Sequence, residues 1–144
     1  MKDMQLSKNF SLVELCATNS GLPNNPTDDV IPNLSKLVVN VLQPLRDKFE
    51  RNIHVDSGFR CPAVNKHVGG ADTSQHVKGQ AADLVSEDNA AMFHIIKDSL
   101  PFDQLIWEKG NDIQPAWVHV SYHEGHNRKE VLELVNGKYV PYAH

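Results

Sequence analysis

The chain has 144 residues, 40% of them hydrophobic and 22% charged, which is one domain's length with enough chain for an ordinary core. Gly and Pro, eight each, are too few for a fibrous or disordered chain, and no apolar run approaches the roughly 18 residues that span a bilayer. Lys and Arg number 14 against 18 Asp and Glu, for a net charge of −4, and with no basic stripe a nucleic-acid partner is not expected.

Met1 to Ser7 lacks the apolar core of a signal peptide, so cytoplasmic synthesis is expected. Ser11 with Glu14 three residues on has the form of a capping box and predicts a short helix near 12–17. Residues 23–32, with Pro23, Asn24, Asn25, Pro26 and Pro32, read as loop. From Pro32 to Arg51, Leu34, Leu37, Val38, Val41, Leu42, Leu45 and Phe49 recur at spacings of three and four, which predicts the main core helix. Pro44 lies inside it and predicts a kink. Ile53 to Ser57 alternates like a strand, residues 58–80 are turn-rich, and Ala82 to Val85 reads as a short buried strand. Asn89 to Leu100 predicts a second helix, ended by Pro101. Phe102–Trp107 and Trp117–Tyr122 read as strands joined by a hairpin loop at Lys109–Asp112. Asn136-Gly137 between apolar runs predicts a terminal hairpin over 131–141.

Cys16 and Cys61 are the only cysteines, too few for a disulfide scaffold; they are expected as free thiols, the alternative being a pair formed on export. Eight histidines are the compositional outlier, and histidine is the commonest metal ligand. His76 and Asp83 stand seven residues apart in Ser74-Gln75-His76-Val77-Lys78-Gly79-Gln80-Ala81-Ala82-Asp83. To share one ion their donor atoms must lie about 3–3.5 Å apart. A continuous helix would separate them by about 10 Å along its axis, and a continuous strand by roughly 23 Å. A shared site therefore needs a chain reversal, which Gly79 permits because it has no side chain to penalise unusual φ. In Trp117-Val118-His119-Val120-Ser121, alternation puts Trp117, His119 and Ser121 on one strand face. If that strand lies beside the strand of Asp83, His119 meets the other two. Two His and one Asp form an open three-ligand site with a fourth position for water. The spacing permits chelation without compelling it. In the plain alternative both histidines are surface residues and Asp83 caps a turn.

The segment from Ser74 to Asp83, followed by Trp117-Val118-His119, resembles the zinc signature of the D-alanyl-D-alanine carboxypeptidases. Their relatives include D-Ala-D-Ala dipeptidases and phage endolysins that cut cell-wall peptides. Ser57-Gly58-Phe59-Arg60-Cys61-Pro62 with Asn65 is similar to the same family's Ser-Gly-aromatic-Arg-x-Pro segment. The resemblance covers roughly residues 8–123. It implies that His76, Asp83 and His119 hold Zn2+, that Arg60 sits at the substrate carbonyl or carboxylate, where its rigid fork suits such oxygens, and that Ser74 lies beside the substrate. The plain readings are a solvated charge for Arg60 and a turn residue for Ser74. Many relatives carry a Glu three residues before the last His ligand, where this chain has Ala116. A base must take a proton from the metal's water. Glu108, ending the strand Leu105-Ile106-Trp107 across the hairpin from His119, is the first candidate, its alternative being a strand-end ion pair. His123 and Asp103 are weaker candidates. Cys61 beside Arg60 reads as structural, Trp107 and Trp117 as core or rim packing, and His67, His94, His126 and His144 as incidental.

The fold expected is α+β, a small antiparallel sheet carrying the site with helices packed on one side, of the Hedgehog/DD-peptidase type that the resemblance implies. One domain fills 1–144, with its core over about 8–123. The function expected is a zinc metallopeptidase acting on peptidoglycan stem peptides that contain D-amino acids, as a D-Ala-D-Ala carboxypeptidase or an endolysin-like endopeptidase. The protein is expected as a monomer, made in the cytoplasm and released to the wall during phage or prophage lysis. Two rivals stand beside it. One is a non-catalytic zinc-binding module of the same fold that binds wall peptide. The other is a cytoplasmic D-Ala-D-Ala dipeptidase.

Overall fold

The capping box at Ser11 closes the short helix α1 (Leu12–Leu15): Glu14 N donates to Ser11 Oγ at 3.3 Å, and Ser11 N donates back to Glu14 Oε1 at 3.4 Å. The computed structural model describes all residues, 1–144. The apolar stripe after Pro32 forms α2 (Ile31–Leu37), a π-helical turn (Val38–Leu42) and α3 (Gln43–Phe49) in one helical run. The expected disturbance at Pro44 is thus absorbed upstream. A proline cannot donate to the preceding turn, and the chain widens there, with Gln43 N donating to Val38 O in the i→i+5 pattern of a π turn. Pro44 itself then sits at the start of α3.

The strands are β1 (His54–Ser57), β2 (Ala81–Val85), β3 (Gln104–Glu108), β4 (Trp117–Ser121), β5 (Glu130–Val135) and β6 (Lys138–Pro141), in the order β1-β2-β4-β3-β5-β6. Every neighbouring pair is antiparallel except β3 with β5, which run parallel. The sheet is therefore larger than expected and only mostly antiparallel. The β5–β6 hairpin, turning at Asn136 and Gly137 with φ of 51° and 78°, extends the sheet through that parallel pairing. Residues 58–80, expected only as turns, contain α4 (Pro62–His67) and a 3₁₀ turn (Gln75–Lys78). Both are short, so they leave no apolar period in the sequence to detect.

Alternation along the strands sorts the two faces. Leu84, Leu105, Trp107, Val118 and Val120 share one buried cluster with Leu34, Leu37, Val41 and Leu45 of the α2–α3 run and Met92, Phe93 and Ile96 of α5 (Asn89–Ser99). Trp107 meets Phe93 there at 5.2 Å between ring centroids. The opposite face carries Asp83, Gln104, Ile106, Glu108, Trp117 and His119. It is left open by the long helices, as the expected one-sided arrangement requires.

Candidate metal centre

Asp83 on β2 is the register partner of His119 on β4, and partners in an antiparallel pair project to the same face about 4.5–5.5 Å apart. Asp83 Oδ1 lies 3.0 Å from His119 Nδ1. His76 reaches the same carboxylate from the 3₁₀ turn, its Nε2 3.4 Å from Asp83 Oδ2. The reversal inferred at Gly79 occurs: its φ is +72°, and a Cβ there would stand 2.7 Å from Val30 Cγ1 and 3.0 Å from Val30 O. One donor atom from each of His76, Asp83 and His119 falls within 4.8 Å of the others. Such separations suit ligands about 2.0–2.2 Å from a common ion.

The surroundings fix these side chains. His76 is almost fully buried, and its Nδ1 lies 2.7 Å from the carbonyl oxygen of Gly58. That contact assigns a proton to Nδ1 and turns the Nε2 edge of the ring toward Asp83, the usual support of a metal-bound imidazole. Gly58 is required where it stands, because a Cβ would come 2.3 Å from Leu15 O. Burial by itself would raise the Asp83 carboxyl, but hydrogen bonds to His119 and His76 outweigh it and hold the group well below the usual carboxylate range.

Arg60 also belongs to this cluster, against its plain reading as a solvated charge. Its Nε donates to Ser57 Oγ at 3.0 Å, its Nη1 to Asn65 Oδ1 at 3.3 Å and its Nη2 to Asp83 Oδ2 at 3.3 Å. Ser74 Oγ accepts from His76 N at 3.2 Å and caps the turn, so the turn reading of Ser74 holds, while the residue also lines the cleft. Glu108 is buried two strands from Asp83, opposite Trp117. That makes it a diagonal neighbour of His119, roughly 7–8 Å away between backbones. Burial pushes its carboxyl above the ordinary value, opposed by the charge of His119 and a hydrogen bond from Tyr139.

A cleft of about 710 Å³ joins Arg60, Ser74, His76, Glu108, Trp117 and His119. Trp117 forms its rim, with Lys109 Nζ 5.5 Å over the ring. The weaker candidates lie elsewhere. Asp103 is buried and engaged by Arg128 and Gln75, and His123 is exposed against His126. Cys16 and Cys61 are free thiols. The Cys61 amide donates to Asn24 at 2.7 Å, which makes it a loop anchor. Tyr139, whose hydroxyl donates to Glu108 Oε1 at 3.1 Å, was not visible in the sequence, since nothing local says where the terminal hairpin docks.

The open face thus carries two imidazoles and a carboxylate that could hold one metal ion, with a second, buried carboxylate two strands from Asp83. The sequence profile of the Peptidase M15 family matches residues 7–121, and the chain belongs to that family. It is also 36% identical over 78 residues to the zinc D-Ala-D-Ala carboxypeptidase of Streptomyces albus G. That stretch is 53% of this chain and 31% of the relative, so the match spans under a third of the relative's length.

Proposed function

We propose that this protein is a zinc metallopeptidase that hydrolyses bacterial cell-wall peptides containing D-amino acids. The observation that carries the reading is the convergence of His76, Asp83 and His119 at the floor of a cleft that also holds the buried Glu108. Family membership and the Streptomyces relative support the metal and the substrate class.

His76, Asp83 and His119 are the residues that would hold zinc, which when bound supplies an acidified water and polarises the scissile carbonyl. Glu108 is the group placed to accept a proton from the attacking water and to pass it to the leaving amine. The burial that raises its affinity for protons suits it to both steps. Arg60 faces the negative charge that grows on the carbonyl oxygen, and its contacts to Ser57, Asn65 and Asp83 hold the fork in place beforehand. The Ser74 oxygen accepts from His76 N, which leaves its hydrogen free to donate to the substrate backbone. Because the substrate lies in the wall, release during phage or prophage lysis is the proposed setting, with the protein acting as a monomer.

Mass spectrometry of purified peptidoglycan digested by the zinc-loaded protein tests this. Released D-Ala identifies a carboxypeptidase, and new termini inside the stem peptide identify an endopeptidase. Binding without cleavage at any zinc load would replace the reading with the non-catalytic module, which Ala116 at the usual glutamate position favours. Cleavage of free D-Ala-D-Ala alone would replace it with the dipeptidase.

A further inference from the structure

We infer that Tyr139 is a positioning residue for Glu108, reaching the site from a hairpin beyond the family-matched residues 7–121. The inference rests on the reading of Glu108 as the base.

Glu108 is buried to 6% exposure, and a carboxylate taken out of water needs donors to keep its charge and its orientation. One side chain supplies them. Tyr139 Oη is 3.1 Å from Glu108 Oε1 and 3.4 Å from Oε2, so its single hydrogen bridges both oxygens. The topology explains how the two meet. β5 lies parallel to β3, with Ile106 beside Leu132 and Trp107 beside Glu133, so the next residue on each strand sets Glu108 beside Leu134. Tyr139 on β6 is the register partner of Leu134, and its side chain reaches over Leu134 to the carboxylate.

Tyr139 is not a core residue: 54% of it is exposed, and it forms part of the cleft wall beside Glu108, Leu132 and Gln104. An exposed ring on an edge hairpin contributes little by burial, so the phenol's contribution lies in its hydroxyl. A hydrogen bond shared by both oxygens pins the carboxyl torsion, which is broad and roughly two-fold when unrestrained, and each oxygen keeps a lone pair for an incoming water. Proton transfer depends on that placement, because a base must stand within about 2.6–3.2 Å of the proton's donor.

The test uses the full zinc-loaded chain, wall peptides as substrate, and the variants Y139F, E108Q and Y139F/E108Q. In Y139F, kcat should fall about 10-fold, the lower end of supporting-residue effects, with KM within about twofold. Zinc content should stand unchanged, and Y139F should cost nothing further in the E108Q background. In the zinc-free protein, the carboxyl NMR resonance of Glu108 should move on Y139F. Full kcat in Y139F, equal losses in both backgrounds, a rise in KM alone or an unmoved Glu108 resonance would each overturn the inference. Undiminished activity in E108Q would remove the base reading itself. An inactive E108Q beside a fully active Y139F would remove the role of Tyr139 alone.

Discussion

The carboxylate of Asp83 is shared between two imidazoles, Oδ1 at 3.0 Å from His119 Nδ1 and Oδ2 at 3.4 Å from His76 Nε2. Each oxygen faces one ring, so the aspartate ties a turn to a strand. Removing it by Asp83→Ala should abolish stoichiometric zinc, read by elemental analysis after dialysis. Wall-peptide hydrolysis should fall at least roughly 100-fold, since a bound metal lowers the barrier by several kcal/mol. In the parent protein, zinc at about 100 times its Kd should raise Tm by about 8 °C over the chelated form, and the variant should show no such shift.

Gly58 supports the centre through its backbone. The Gly58→Ala methyl meets Leu15 O at 2.3 Å, so β1 and α1 must separate, at a cost of about 1–3 kcal/mol. The Gly58 carbonyl then leaves His76 Nδ1, and zinc affinity should drop about 10–100-fold. Denaturant titration measures the first effect and competition with a chromophoric chelator the second. Weakened stability with intact zinc affinity would show that the carbonyl does not orient His76.

Arg60 donates from three nitrogens to three partners, a geometry no ammonium reproduces. Arg60→Lys should retain zinc and lower kcat about 100-fold, the scale of one lost donor to a developing oxyanion. Steady-state kinetics on a defined stem peptide decides it.

Asp103 sets an acid limit on stability. Burial would raise its carboxyl, yet Arg128, donating from its backbone N, Nε and Nη2 at 2.8–3.0 Å, pulls it down to about 2. A carboxyl with a folded pKa below its unfolded value binds fewer protons in the native state, so its contribution is full above about pH 4 and lost as pH falls toward 2. Arg128 is half exposed, and solvent screening reduces the contribution to about 1 kcal/mol. Asp103→Asn should cost about that much at pH 7 and flatten the stability profile between pH 4 and 2, followed by urea unfolding.

The parts of this site governed by local rules were legible in the chain. Alternation put His119 on the face of Trp117, Gly79 marked the reversal after His76, and Ser11 with Glu14 marked the first helix. The pairing of β2 with β4, on which the meeting of Asp83 and His119 depends, stood only as a condition. Pairing between distant strands is a tertiary choice that no window of periodicity encodes. The same reason hid the parallel alignment of β5 on β3, and with it the approach of Tyr139 to Glu108. The π turn has no sequence signature of its own, because its residues continue the helical stripe and only the missing donor of Pro44 hints at it.

Two of the three donors ride on strands clamped by neighbours on either side, whereas His76 sits on a four-residue turn closed by Ser74 and Gly79. Rigidity is thus distributed unevenly around the centre. The turn is the part of the centre that a bound metal would steady most, and amide exchange at residues 75–79 would report occupancy while the strands stayed silent.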